Sequence, residues 1–443
     1  MTPRKRRILE VERLPRPIKT ISPLPFKGPS LCRPQFGYLS IGVRRRFAIL
    51  WLFVILGATL IPLEPTGETP RFLCVLCGDG ALADGVLNGV LFLPLGAALS
   101  IAGWRALRAI ALGALLSVSV ETAQFAIPGR DPSLSDVLFN TLGVAFGIAL
   151  ARSSFIWWRP RPRAAGVLSI MAALGAASLI TLTGVLLGPA FPEDSYYGGW
   201  TPRFGHLEWY GGRVLQASLD GLEIPSGILA NSLRVRQKLL SGAAVHVLAF
   251  AGPRPPGLAP LFTIQDGHQR EILLLGVDGD DIVLRYRRRA VAWGLIEPEI
   301  RARGALHGVA WRDSLSIVVR GADPGYCVHV NATERCGLGY TIGIGWALLL
   351  GGQPVPLWLH PVFNVCWTAA LFFPIGLWAR FAWAFSAAAA VSLASLLILP
   401  PFIGLLPTPG AEVVGALAGL LAGWACSVQQ CAEPPEGHMN HHG

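Results

Sequence analysis

Apolar residues run in eight long windows, near 47–63, 83–103, 107–127, 134–151, 166–187, 357–378, 382–403 and 411–428. Each approaches the roughly 20 residues needed to cross about 30 Å of hydrocarbon, so the pattern predicts eight transmembrane helices. Between the fifth and sixth windows, over 190–350, the continuous runs give way to alternation. Val245–Phe250, Leu261–Ile264, Glu271–Leu275, Asp281–Tyr286 and Leu315–Arg320 are short, alternate apolar with polar residues, and are separated by Gly, Pro, Asp and Asn. They predict β-strands, and Asp278-Gly279 between two of them supplies hairpin-turn chemistry. Many short strands joined by such turns predict an antiparallel sandwich. The fold class expected is therefore multi-domain: an α-helical polytopic membrane bundle with an extracytoplasmic all-β sandwich inserted between helices five and six.

Composition agrees with that division. At 52% hydrophobic and 14% charged residues, with mean hydropathy +0.49, the chain is not an ordinary soluble protein. Its net charge of +10 is local, because residues 1–46 hold twelve Lys or Arg against Glu10 and Glu12. This Pro-rich tail leads into the first apolar window without a folded basic motif, so it predicts a cytoplasmic segment near anionic lipid; nucleic acid is not an expected partner and a cleavable signal peptide is not expected. With the tail inside, Arg105, Arg108, Arg152, Arg159, Arg161, Arg163 and Arg380 all fall on inner loops. The expected layout is a cytoplasmic tail at 1–46, a four-helix membrane domain at 47–152, a basic loop and fifth helix at 153–189, the sandwich at 190–350, three helices at 351–428 and a second cytoplasmic tail at 429–443. Both termini are cytoplasmic and the sandwich lies in the periplasm of a bacterial inner membrane.

Candidate chemistry sits where polar groups interrupt the apolar windows. Asp84 and Asn88 share a face of the second helix, Glu121 and Gln124 a face of the third, and Asp136 and Asn140 a face of the fourth, with Arg130 and Asp131 on the loop between the last two. Ionisable groups in a span are costly and usually mark function. These eight residues predict an outer-leaflet polar pocket for a lipid or lipid-linked sugar headgroup, with Arg130 on anionic oxygens and Glu121 or Asp136 as a proton acceptor. The alternative is a hydrogen-bond network that pins the helices, with Arg130 paired to Asp131 or Asp136. No nucleophile stands beside a base, so no catalytic residue is assigned.

Cys327 and Cys336 are expected to form a disulfide in an oxidising compartment, with two free buried thiols as the alternative. Cys74 and Cys77 form a C-x-x-C motif on a short outer loop, where a small structural disulfide is expected ahead of thiol exchange. No metal site is assigned. In the sandwich, Trp200, Trp209, Tyr210 and Trp293 are candidates to stack on sugar rings, against the alternative that they are core. Asp266, Asp278, Asp280 and Asp281 are candidates for Ca²⁺, against the alternative that they are turn residues; no other cofactor is expected.

The late helices echo the early ones. Asn88, Phe92, Pro94 and Gly96 are answered by Asn364, Phe372, Pro374 and Gly376, and Asp136, Asn140, Gly143 and Gly147 by Glu412, Gly415, Gly419 and Gly423. Small residues at such spacing also serve close helix packing in lipid. The blocks Asn88 to Gly96, Glu121-x-x-Gln124, Arg130 and Asp136 to Gly147 make residues 47–152 resemble the VanZ-like family of bacterial membrane proteins, named for a member linked to teicoplanin resistance. The late block resembles half of that unit, with Glu412 in place of the Asp and without the Glu-x-x-Gln. Leu261–Gly267, Leu275–Tyr286, His307–Trp311 and Ser314–Val319 look like a laminin-G or concanavalin A-like jelly roll. The resemblance implies an envelope role rather than a reaction. The reading is a membrane protein whose jelly roll binds or senses an envelope glycan while the bundle engages lipid or a lipid-linked sugar. Its rivals are an enzyme or transport factor acting on polyprenyl-linked precursors through Glu121, Arg130 and Asp136, and a scaffold whose sandwich binds protein.

Overall fold

The computed structural model describes residues 41–62, 80–130, 132–158, 160–205, 207–322, 325–351 and 355–432. Cys74, Cys77, Asp131 and most of both tails lie outside the described residues. The helices are α1 (Ile41–Leu60), α2 (Ala81–Ile101), α3 (Ala106–Gln124), α4 (Leu134–Arg152) and α5 (Pro162–Leu186), then, after the strands, α6 (His360–Trp378), α7 (Ala382–Leu393, continued to Phe402 through a π turn) and α8 (Gly410–Ala432). Seven helices among the described residues are long and apolar enough to cross a membrane. The expected eighth, α1, falls short because Arg44, Arg45 and Arg46 occupy its first turns and leave only Arg46–Leu60 apolar. Local chemistry sets several ends: Pro162 opens α5 where its missing N–H costs nothing, and Ser133 caps α4 by accepting the Ser135 amide at 3.1 Å.

Glycine decides how the helices cross. A Cβ at Gly143 or Gly147 of α4 would collide with the carbonyl oxygens of Gly89 and Leu93 on α2, and one at Gly96 with that of Val144. On α8, Gly419 and Gly423 stand in the same relation to Ala369 and Phe373 of α6, and Gly376 to Leu420. Backbones approach this closely only where side chains are absent, as helix association in lipid requires. The matching contacts place Gly96 with Gly376 and Gly89 with Ala369, so Asn364 stands where Asp84 does, and Thr368 where Asn88 does. The expected equivalence of Asn88 with Asn364 is thus corrected by one helical turn, and that of Asn140 with Gly415 by one residue, to Ala416.

Among the described residues twelve strands form two antiparallel six-stranded sheets. The strands are β1 (Tyr196–Trp200), β2 (Arg213–Leu219), β3 (Leu222–Glu223), β4 (Gly227–Ile228), β5 (Val245–Phe250), β6 (Ala259–Asp266), β7 (Glu271–Asp278), β8 (Asp281–Tyr286), β9 (Ile300–Ala302), β10 (Ser314–Gly321), β11 (Tyr326–Val330) and β12 (Thr333–Leu338). One sheet runs β4-β1-β6-β7-β8-β9 and the other β12-β11-β10-β5-β2-β3. The expected Asp278–Asp281 hairpin is present, with Gly279 at φ +57° where a Cβ would be strained. β6 and β7 are buried almost throughout, whereas β5 alternates buried and exposed, so the second sheet turns one face to solvent. Cys327 and Cys336 form a disulfide across β11 and β12.

The sandwich and the late helices share one core. Phe262, Ile264, Leu315 and Ile317 of the sheets belong to the same buried cluster as Ile180 of α5, Phe372 and Ile375 of α6 and Ala416 of α8. The early helices have their own, made of Ile55, Phe92, Leu95, Leu99, Ala109, Val144 and Ile148. The sandwich touches the early helices at the start of α2, where Gly294 O accepts the amides of Leu82 and Ala83 at 2.9 and 3.0 Å.

Candidate functional site

The early polar residues gather at the sandwich-side ends of α1 to α4, with roles that differ from those expected. Arg130 donates from Nε to Ile61 O at 2.9 Å and from Nη2 to Ala58 O at 2.8 Å, so its guanidinium caps the C-terminus of α1. Gln124 joins it by donating to Thr59 O at 3.0 Å. Both residues fasten α1 to the rest of the unit. Glu121, only 3% exposed, accepts the Ser133 amide at 2.8 Å and ties the end of α3 to the start of α4. Asn88 donates to Asp136 Oδ1 at 2.7 Å, joining α2 to α4. Asn140 is buried one turn deeper and donates to Ser117 Oγ at 2.9 Å, while its own Oδ1 meets no donor among the described residues. Asp84 is exposed and its side chain meets no partner among the described residues. Asp136 lies within electrostatic reach of Asp84, and Glu121 of Asp136 and Arg130.

The late helices hold the counterpart that the echo suggested, with partners from the sandwich side that the sequence did not suggest. Glu412, 3% exposed at the start of α8, accepts Thr341 Oγ1 at 2.5 Å, Gly343 N at 3.0 Å and Asn364 Nδ2 at 3.1 Å. Asn364 Oδ1 in turn accepts Trp346 Nε1 at 2.8 Å. The segment Thr341–Trp346, which leaves the sandwich for α6, therefore fills the mouth of the late helix pair. Glu412 and Asn364 were visible in the sequence, whereas Thr341 and Gly343 lie on a Gly-rich stretch without periodicity.

In the sandwich, the four candidate aromatics are not one platform. Tyr210 is core and its hydroxyl accepts the Gly252 amide at 3.0 Å; Trp200 is half-buried and donates to Ile224 O at 3.0 Å. Trp209 is exposed beneath the Arg203 guanidinium, and Trp293 is exposed beside Gly294, against the start of α2. The four acids are likewise separated. Asp266 ends β6 on the far side of β7, an eight-residue strand spanning about 25 Å, from the hairpin of Asp278, Asp280 and Asp281. Asp266 binds the Arg270 guanidinium and the amides of His268 and Arg270; burial raises its pKa, but those donors outweigh burial and hold the carboxyl below its ordinary value. Asp278 pairs with Arg301 at 2.6 Å and Asp280 with Arg254 at 2.8 Å, and Asp281 accepts the Gly304 amide. These contacts are those of turn residues.

Two sandwich features were not anticipated. The exposed face of the second sheet holds a cleft of about 320 Å³ lined by Gln216, Ser218, Gly221, His246, Leu248 and Ser316. At the junction with the helices, buried Arg288 lies among the rings of Tyr286, Tyr326 and Tyr340 and donates to Leu187 O at 3.1 Å. Beside it, Glu297 Oε1 is cut off from solvent without a donor among the described residues, and burial, aided by the Glu271 charge, pushes its carboxyl up to about 8.

Residues 38–158 match the VanZ/LLP1 family model, the segment that spans α1 to α4 and carries Asp84, Asn88, Glu121, Gln124, Arg130, Asp136 and Asn140. No curated protein and no solved structure matches the chain. The chain is a membrane protein whose first four helices are similar to the VanZ/LLP1 family.

Proposed function

We propose that this is a bacterial inner-membrane envelope protein whose periplasmic sandwich binds a glycan while its VanZ-like helices engage the headgroup of a lipid or lipid-linked sugar. The cleft over β2, β5 and β10 carries the first half of this reading. Gln216, Ser218, His246 and Ser316 offer hydrogen-bonding groups around the apolar Leu248, the mixture that a sugar with hydroxyl edges and a C–H face requires. Arg105, Arg108, Arg152, Arg161 and Arg163 at the opposite helix ends support a periplasmic sandwich, and with α1 counted as an eighth, shorter crossing both termini are cytoplasmic. Full-length protein in nanodiscs, titrated with soluble peptidoglycan glycan strands, tests the reading. Saturable binding that weakens about tenfold in Gln216→Ala/His246→Ala is expected; no binding by folded protein, or binding indifferent to those changes, removes it. A scaffold reading has one observation in its favour, since Leu215, Leu248 and Phe250 are exposed on neighbouring strands of the same sheet.

A further inference from the structure

The carboxylates of the two membrane units differ in how many donors they meet. Glu412 accepts three hydrogen bonds on its two oxygens, from Thr341, Gly343 and Asn364. In the first unit Asp136 accepts one, from Asn88, Glu121 one, from Ser133, and Asp84 none among the described residues. Beneath them Asn140 Oδ1, on a residue only 1% exposed, is a further acceptor without a donor. An ionised carboxylate has about four acceptor sites. One left short of donors at a membrane boundary is unfavourable by the desolvation cost of those sites. Among the described residues the first unit is thus a concentration of acceptors lacking donors.

The second unit shows what completes such a site. The place of Asp84 is taken there by Asn364 and that of Asp136 by Glu412, and the occupant is a chain segment offering a hydroxyl, a backbone N–H and, from Trp346, an indole N–H. None of those groups is anionic. Arg130, the one described cation beside the first cluster, spends Nε and Nη2 on carbonyl oxygens of α1, which leaves a phosphate poorly matched here.

Resting on the headgroup reading above, we infer that Asp84, Asp136 and Glu121 form a site for a lipid headgroup that presents N–H or O–H donors, in the leaflet facing the sandwich. An ammonium group and sugar hydroxyls share this chemistry. An anionic headgroup without such donors does not fit.

The test uses full-length protein and native mass spectrometry of retained lipid in competition. Four probes are compared: phosphatidylethanolamine, its N-trimethylated counterpart phosphatidylcholine, a glucosyl diacylglycerol and phosphatidylmethanol, which is anionic and has no N–H or O–H donor in its headgroup. Phosphatidylethanolamine and phosphatidylcholine share charge and phosphate and differ in N–H donors. The inference expects phosphatidylethanolamine or the glucosyl lipid to be retained about tenfold over phosphatidylcholine, the first identifying an ammonium and the second hydroxyls as the donor source. Asp84→Asn is expected to abolish that preference. Asp84 is exposed and holds nothing in place, so this variant keeps its fold, checked by an unchanged thermal transition. Equal retention of ethanolamine, glucosyl and choline lipids, or a preference that survives Asp84→Asn, overturns the donor assignment. Preferential retention of phosphatidylmethanol overturns the donor assignment alone, whereas failure to retain any of the four overturns the headgroup reading with it.

Discussion

In the first membrane unit Asp136 accepts one hydrogen bond, from Asn88; in the second, Glu412 accepts three, two of them from the segment that leaves the sandwich. The helix crossings beneath these acids are alike, glycine against carbonyl on both sides. The difference lies in what the chain does above the crossing. The late pair is closed by Thr341–Trp346 and its core runs on into the sheets, while the early pair has a separate core and meets the sandwich through Gly294. The same scaffold has become a foundation in one place and, among the described residues, is left with acceptors to fill in the other.

The largest effect that could break this comparison comes from the crossing glycines. Gly143→Val drives a side chain into Gly89 of α2, and Gly419→Val does the same against Ala369 of α6; overpacking of this kind costs about 3 kcal/mol or more where backbone must yield. Because the cores are separate, Gly143→Val is expected to loosen α1–α4 and leave the sandwich resistant to protease. Gly419→Val is expected to expose both. Equal loss of sandwich protection in the two variants would show that the cores act as one.

A smaller effect separates the acids themselves. Glu412→Ala strands the donors of Thr341, Gly343 and Asn364, each buried or half-buried, and is expected to cost about 2–3 kcal/mol. Asp84→Asn disturbs no contact and is expected to stay within about 0.5 kcal/mol. Thermal unfolding of the two variants in one detergent reads the contrast directly, and comparable losses would mean that Asp84 has a structural partner after all.

Much of this was legible in the sequence, and the reasons are specific. Apolar windows located the helices within a few residues because lipid demands length and hydropathy. Alternation located β5 and β8 at their observed limits and β6, β7 and β10 near theirs. β1, β2, β3, β4, β9, β11 and β12 were not located: Tyr-Tyr-Gly-Gly-Trp of β1 carries no alternation, and β3, β4 and β9 are too short to show any. The early polar cluster was seen, but its division into caps and ties was not, for the carbonyls that Arg130 and Gln124 bind belong to α1 and leave no mark on its sequence. The echo misled in an instructive way. Asn88 and Asn364 each precede their acid by 48 residues, yet they stand a turn apart in the crossing, where the longer Glu412 reaches the more distant amide.

The smallest effect concerns the joint that makes the second unit a foundation. Glu297, beside Arg288 where the sandwich meets α5, holds its proton up to about 8 when folded, against an ordinary value of 4.5. Between those limits the folded state binds more protons than the unfolded one, so stability falls as pH rises through that window and the loss is complete above it. Relaxation and water entry shrink the full linkage, and a decline on the order of 1–2 kcal/mol between pH 5 and pH 8 is expected. Glu297→Gln carries no titrating proton and should flatten the decline, leaving the variant the more stable of the two at pH 8. Thermal melts of both proteins across that range decide the matter. An unchanged slope in the variant would place the titrating group elsewhere and remove Glu297 from the joint. A flattened slope with the early helices unaffected would tie pH sensitivity to the fused unit alone, as the division of cores requires.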